Sequence, residues 1–126
     1  MIRVKEIAFT GYPVTDMPRA RAFYEGLLHL VPSTTFEHEG KSWIEYDVGA
    51  STLAITNMSD RWKPSADGPS AALEVENFDE AIAAAKAAGI TFYIEPMDSS
   101  VCWLAVVADP DGNAIALHHR HAHTHA

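Results

Sequence analysis

A chain of 126 residues, nearly half of them hydrophobic and about a fifth charged, is long enough for one domain with a real core and too short for two independent ones. Its formal charge of −8 argues against nucleic acid or an anionic membrane as partner, because both require a basic face. The single cysteine, Cys102, excludes an internal disulfide; with no apolar run near the roughly 20 residues of a membrane span and an N-terminus unlike a signal peptide, the cytoplasm is the expected location.

Residues 2–9, IRVKEIAF, alternate and are rich in Ile, Val and Phe, which predicts a strand. GYPVTD follows, and Asp16 is placed to cap the next segment. MPRARAFYEGLLHL, residues 17–30, has helical spacing, with Ala20, Phe23, Tyr24 and Leu27 on one face and Arg19, Arg21 and Glu25 on the other. Pro18 sits in the first turn, where its missing N–H costs little. Three strand-like runs come next, STTFEHE, SWIEYDV and TLAITN, separated by the breakers EGK and GAS. Residues 58–69 break all periodicity and read as a linker.

The same grammar then returns. SAALEVEN predicts a strand. FDEAIAAAKAAG predicts a short helix with Phe78, Ile82 and Ala85 on one stripe, ended by Gly89 at C′. ITFYIEP, VCWLAVVA and NAIALHH predict three more strands, the last two joined by the turn DPDG. The order is βαβββ twice: module 1 over 1–57, module 2 over 70–119, and a His-rich tail over 120–126. A repeat of whole modules implies pseudo-symmetry. One helix per module covers only one face of a four-stranded sheet, so the other face must close on something else.

Residues 14–30, VTDMPRARAFYEGLLHL, the paired modules, and residues 109–117, DPDGNAIAL, together resemble the vicinal oxygen chelate superfamily, which includes glyoxalase I, fosfomycin-resistance proteins, extradiol dioxygenases and bleomycin-binding proteins. The resemblance covers nearly the whole chain. It implies an α+β fold: two βαβββ modules forming curved mixed sheets around a shared cleft, with one helix per module on the convex face. It implies far less about function, since the fold hosts isomerases, transferases, dioxygenases and plain binders. In metal-dependent members the ligands would fall at Phe9, at Ala54 or Thr56, at Ser70 and at Ala116. None of these is His, Glu or Gln, and Phe and Ala have no lone pair to offer a divalent ion. The expectation is a retained fold with no metal site and no cofactor. The resemblance also implies Gly where His29 stands, so a left-handed residue there carries a cost of about 1 kcal/mol or more.

Strand alternation suggests what lines the cleft instead. Taking Phe9, Ser70 and Ala116 as inward adds Gly11, Ala72 and His118. If DPDG is the loop, residue 108 faces 113, which sets Trp103 opposite His118 and Ala105 opposite Ala116. If Ala50 and Ser51 turn the earlier hairpin, Asp47 faces Ala54 and Glu45 faces Thr56. The set becomes Phe9, Gly11, Trp43, Glu45, Ala54, Thr56, Ser70, Ala72, Trp103, Ala105, Ala116 and His118. A slip of one residue reverses the face of a whole strand. Small residues with aromatic walls suit a flat or hydrophobic organic molecule. Trp43 and Trp103 also suit packing, Glu45 suits solvent, and His118 suits a structural role, no acid or nucleophile standing at a known spacing from it. Glu45 and His118 are the weak catalytic candidates. Cys102 reads as a small apolar group, and Arg19 with Arg21 as a solvated helix face. Histidines 119, 121, 123 and 125 can bind Zn²⁺ or Ni²⁺ in an extended chain, or form a frayed end.

Three functions follow. The first is a metal-free binder of a small aromatic or amphipathic molecule, a toxin or antibiotic sequestered by a homodimer, as the bleomycin-binding branch implies; an acidic surface suits a basic ligand. The second is a lyase-, isomerase- or dioxygenase-type enzyme using Glu45 and His118, or a shifted metal site with His119 or His38. The third is a ligand-free structural or regulatory module. The partner expected is a small molecule, not nucleic acid or membrane.

Overall fold

A computed structural model describes residues 1–121; histidines 123 and 125 lie outside the described residues. The chain divides into two compact units, Met1–Pro64 and Ser65–Ala126. Each contains one four-stranded mixed sheet, so the repeated α+β modules read from the sequence are present.

The first unit runs β1 (Thr10–Pro13), α1 (Met17–Arg21), β2 (Pro32–His38), β3 (Lys41–Val48) and β4 (Ser51–Thr56), with sheet order β1-β4-β3-β2. The first strand is not where alternation puts it. Residues 2–9 belong to no element, and the ladder begins with Thr10 beside Leu53, parallel to β4. The partner explains this. Carried back, that parallel register reaches Ser51 at Ala8 and enters the Gly49–Ala50 turn at Ile7, so residues 2–7 have no β4 backbone beside them. Asp16 caps α1 as expected, accepting the Arg19 N–H at 3.0 Å. Beyond Arg21 the helix continues through Ala22–Leu27 with one residue more per turn; the Leu28 N–H reaches the Phe23 carbonyl at 3.0 Å. Its buried face is the expected one: Ala20, Phe23 and Tyr24 are buried, as are Tyr12, Ile44, Tyr46, Leu53 and Ile55 of the sheet, and the Tyr24 ring lies against those of Tyr12 and Tyr46. His29 ends it with φ 58°, the left-handed C′ geometry that glycine normally fills.

The second unit runs β5 (Ala71–Glu74), α2 (Phe78–Ala87), β6 (Phe92–Asp98), β7 (Cys102–Ala108) and β8 (Ala114–Arg120), in the order β5-β8-β7-β6. Asn77 caps α2 by accepting the Glu80 N–H at 3.1 Å. Gly89 follows the helix at φ 73°. Asp79 and Glu80 in the first turn and Lys86 in the last complement the helix dipole. Phe78 and Ala85 of the helix are buried, as are Ala105, Val107, Ile115 and Leu117 of the sheet.

Two hairpins differ from their predicted register. Between β3 and β4 the turn is Gly49–Ala50, with Gly49 at φ 60°, so Glu45 pairs with Ala54 and Trp43 with Thr56. The partners move by two residues and the face is unchanged. Between β7 and β8 the shift is one residue. Asp109 and Asn113 face each other across a three-residue loop, the Asp109 N–H bonding the Asn113 carbonyl at 2.9 Å, and Gly112 takes φ 89°. Ala108 therefore pairs with Ala114, Ala105 with Leu117 rather than Ala116, and Trp103 with His119 rather than His118. Trp103 and Ala105 lie on the helix-covered face, and Leu104 and Val106 take their places beside His118 and Ala116.

Candidate functional site

The open face of the first sheet is built from side chains of four adjacent stretches. Gly11 on β1 pairs with Ala54 on β4, and Ala54 with Glu45 on β3, so alternation sets Gly11, Trp43, Glu45, Ala54 and Thr56 on one side. Phe9 joins them: its ring lies edge-on to Trp43, with centroids 5.0 Å apart. Phe9 is 39% exposed and Ala54 fully buried. The Trp43 indole N–H donates to Glu45 Oε2 at 2.8 Å, which pins the ring and gives the carboxylate a structural partner. The Thr56 hydroxyl donates to the Ser42 carbonyl at 2.9 Å and accepts the Met58 N–H at 3.0 Å, so both its hydrogen-bonding capacities are engaged.

Trp62 stands over Gly11. A Cβ added to Gly11 would come within 2.5 Å of the Trp62 ring, so only glycine permits that seat. Periodicity does not single out Trp62, because it falls in the aperiodic stretch after β4. Its signal was an aromatic residue among polar ones.

The open face of the second sheet carries Ala72, Glu74, Leu104, Val106, Ala116 and His118. Ser70 is exposed and precedes β5. His118 Nδ1 lies 2.6 Å from Glu74 Oε1, and the Arg120 N–H donates to Glu74 Oε2 at 2.9 Å. Partial burial pushes the Glu74 carboxyl upward, but the Arg120 amide and His118 outweigh it and hold it below the ordinary carboxylate range. Glu74 was legible in principle: once Ala72 is set opposite Ala116, the parallel register brings Glu74 opposite His118. His118 thus has an acid partner within its own sheet.

On the helix side, the His119 Nδ1–H donates to the Val75 carbonyl at 2.6 Å, which fixes its tautomer. Trp103 stacks on His119 and His121 at 5.8 and 4.0 Å between centroids. His121 Nε2 lies 3.0 Å from Asp98. His38 lies 3.8 Å from Glu39 on the exposed β2–β3 hairpin. Among the described residues no three His, Cys, Asp or Glu side chains converge as a metal-holding group. Nor is any helix among them long and apolar enough to cross a membrane.

A model of the Glyoxalase/Bleomycin resistance protein/Dioxygenase superfamily matches residues 6–117. The chain belongs to that superfamily. Solved structures with the same fold include TnmS3, an antibiotic binding protein from Streptomyces sp. CB03234, at 18% identity and a TM-score of 0.76 over 96% of this chain and 100% of that one. A second is the trypanothione-dependent glyoxalase I of Leishmania major, at 20% identity and a TM-score of 0.75 over 92% and 87%. A glyoxalase/bleomycin resistance protein from Streptomyces sp. CB03234 is 20% identical, with a TM-score of 0.72 over 89% and 98%. At such identities the likeness is one of fold. No match was found among curated proteins.

The positions that carry metal ligands in metal-dependent members of the superfamily do not fit a cation here. Phe9 and Ala54 offer no donor, the Thr56 hydroxyl is engaged, Ser70 is exposed outside the sheet, and Ala116 is buried and apolar.

Proposed function

We propose that this chain is a metal-free binding protein of the superfamily that sequesters a small aromatic or amphipathic molecule. In this reading the 126 residues form one cytoplasmic domain, and the working form is a homodimer. The observation that carries it is the open face of the first sheet. Phe9 and Trp43 meet edge to face beside the small residue Ala54, and metal-dependent members would place ligands at Phe9 and Ala54. Flat apolar walls beside small residues favour stacking of a planar guest. The antibiotic-binding structure with the same fold gives the reading a precedent in kind; a role in antibiotic resistance is part of the proposal.

Calorimetric titration with a panel of aromatic antibiotics, cationic members included, tests it. Saturable heat is expected, weakened at least about tenfold by Phe9→Ala or Trp43→Ala, in line with the loss of an aromatic contact and its buried area. No heat and no thermal shift with any member at high ligand concentration would refute it. Elemental analysis belongs beside it, on protein lacking residues 120–126 so that histidines 121, 123 and 125 do not contribute. A stoichiometric transition metal surviving that deletion would overturn the metal-free assignment.

A second reading draws on one specific contact. The 2.6 Å approach of His118 to Glu74 is the arrangement of an imidazole oriented by a carboxylate, which in a lyase- or isomerase-type enzyme moves a proton. Turnover of an α-hydroxy- or α-ketocarbonyl substrate, lost in both Glu74→Gln and His118→Ala with substrate binding retained, would favour it over sequestration.

A further inference from the structure

At one end of the first sheet lies a cavity of about 300 Å³. Its wall comes from the ends of β1 and β4, the start of β3 and the segment after β4: Thr15, Lys41, Asn57, Ser59, Trp62 and Lys63 line it. We infer that this cavity binds a small aromatic carboxylate, its ring against Trp62 and its acid group between Lys41 and Lys63.

Three observations lead there. The chain carries a net charge of −8, from nine Lys and Arg against seventeen Asp and Glu, yet two of those few cations meet at one small cavity. Neither ammonium has an ion-pair partner among the described residues; the single acid in the wall, Asp60, makes no ion pair with them. Two unpaired ammonium groups in a shallow cavity attract an anion more strongly than either does alone.

The polar side chains beside them are donors by arrangement. Asn57 Oδ1 already accepts the Ser42 N–H at 2.7 Å, which leaves the amide NH₂. Ser59 Oγ already accepts the Arg61 N–H at 3.2 Å, which leaves its O–H. Asp60 aside, these side chains and the two lysines offer N–H and O–H donors, which match an acceptor-rich group such as a carboxylate.

The third observation is Trp62. It is 41% exposed, and its seat against Gly11 leaves no room for a side chain there. A large exposed ring held by a required glycine is a preformed stacking surface, which a planar guest can use without ordering it first.

The inference does not rest on the sequestration proposed above, because its cavity uses different side chains. Calorimetry with indole-3-acetate as probe tests it, with tryptamine as the cationic counterpart carrying the same ring. Saturable binding of indole-3-acetate is expected, with tryptamine at least about tenfold weaker, since the ammonium replaces the group the lysines recognise. Lys41→Ala with Lys63→Ala should weaken indole-3-acetate at least about tenfold and flatten the salt dependence, and Trp62→Leu should weaken it by a similar factor. All three side chains are exposed, so these variants keep the fold; unchanged urea midpoints check that. No saturable heat up to about 10 mM, a weaker affinity than that range resolves, would overturn the inference. Equal affinity for tryptamine, or affinity unchanged in the double lysine variant, would overturn it too. Loss of binding in Phe9→Ala and Trp43→Ala alone would leave sequestration standing and this inference refuted. Loss in the lysine and Trp62 variants, with no cationic antibiotic bound, would do the reverse.

Discussion

Asp109 holds Asn113 across the β7–β8 turn through three contacts. Its Oδ1 accepts the Asn113 backbone N–H at 2.9 Å, its Oδ2 accepts the Asn113 side-chain amide at 2.9 Å, and the Asp109 N–H bonds the Asn113 carbonyl. The Asp111 N–H adds a fourth bond, to Oδ1 at 2.8 Å, and Asn113 Oδ1 accepts the Ser65 N–H at 3.0 Å. Both side chains are buried, at 3% and 2% exposure. This knot closes the hairpin one residue shorter than a four-residue loop would, and that residue decides which face Trp103 occupies.

Asp109→Ala removes a buried charged acceptor and strands several N–H donors. The expected cost is about 3 kcal/mol, the range for hydrogen bonds to buried charges with unsatisfied partners left behind. Urea unfolding should show a lower midpoint at an unchanged slope. A loss under about 1 kcal/mol, the worth of an ordinary hydrogen bond, would contradict the account.

Tyr46, fully buried, donates its hydroxyl to Glu25 Oε2 at 2.8 Å, and Arg21 reaches the same carboxylate at 2.6 and 3.3 Å. Burial, then the bond to Glu25, pushes the phenol well above its ordinary value. Burial also pushes Glu25 up, but the Arg21 and Tyr46 bonds outweigh it and leave the carboxyl below 4.5. A carboxyl depressed in the folded state contributes stability above its unfolded value, lost as pH falls through the folded one. Wild-type protein should therefore lose stability below pH about 4.5, and Glu25→Gln should flatten that fall. Tyr46→Phe should cost about 2 kcal/mol at neutral pH, as a bond to a charged group does. A pH profile unchanged in Glu25→Gln would count against the assignment.

His29 occupies a left-handed position, φ 58°, and is exposed. His29→Gly should stabilise the fold by up to about 1 kcal/mol, strain relief exceeding the extra entropy of the unfolded chain, while a β-branched residue there should destabilise it. Thermal denaturation of both variants checks the sign. Destabilisation by glycine would mean that the imidazole has a stabilising role of its own.

Gly11→Ala forces the Trp62 ring to move, since the new methyl would lie 2.5 Å from it. The expected cost is about 1–2 kcal/mol, that of overpacking. Trp62→Ala should remove most of that cost, so a double-mutant cycle should return a coupling of about 1 kcal/mol. Additive effects would place the strain elsewhere.

The two βαβββ modules were legible because their determinants are local. Asp16 and Asn77 cap, the stripes Ala20–Phe23–Tyr24 and Phe78–Ala85 face inward, and Gly49, Gly89 and Gly112 adopt the positive φ that glycine permits. The membership of Gly11, Trp43, Glu45, Ala54 and Thr56 on one face was legible too, because an error of two residues preserves strand parity. Residues 2–7 illustrate the opposite case: their pattern is that of a strand, but strand formation needs a partner, and in the register of β1 they lie beyond the Ser51 end of β4.

The sequence by itself determined the element order, the superfamily and the absence of donor side chains at Phe9, Ala54 and Ala116, since each is a matter of residue identity and short-range spacing. Only the tertiary structure decided that Trp103 stands on the helix side with His119 and that Trp62 seats on Gly11. Those outcomes depend on pairing between strands and loops, where a single residue of register, set here by the Asp109–Asn113 bonds, reverses every side chain on a strand.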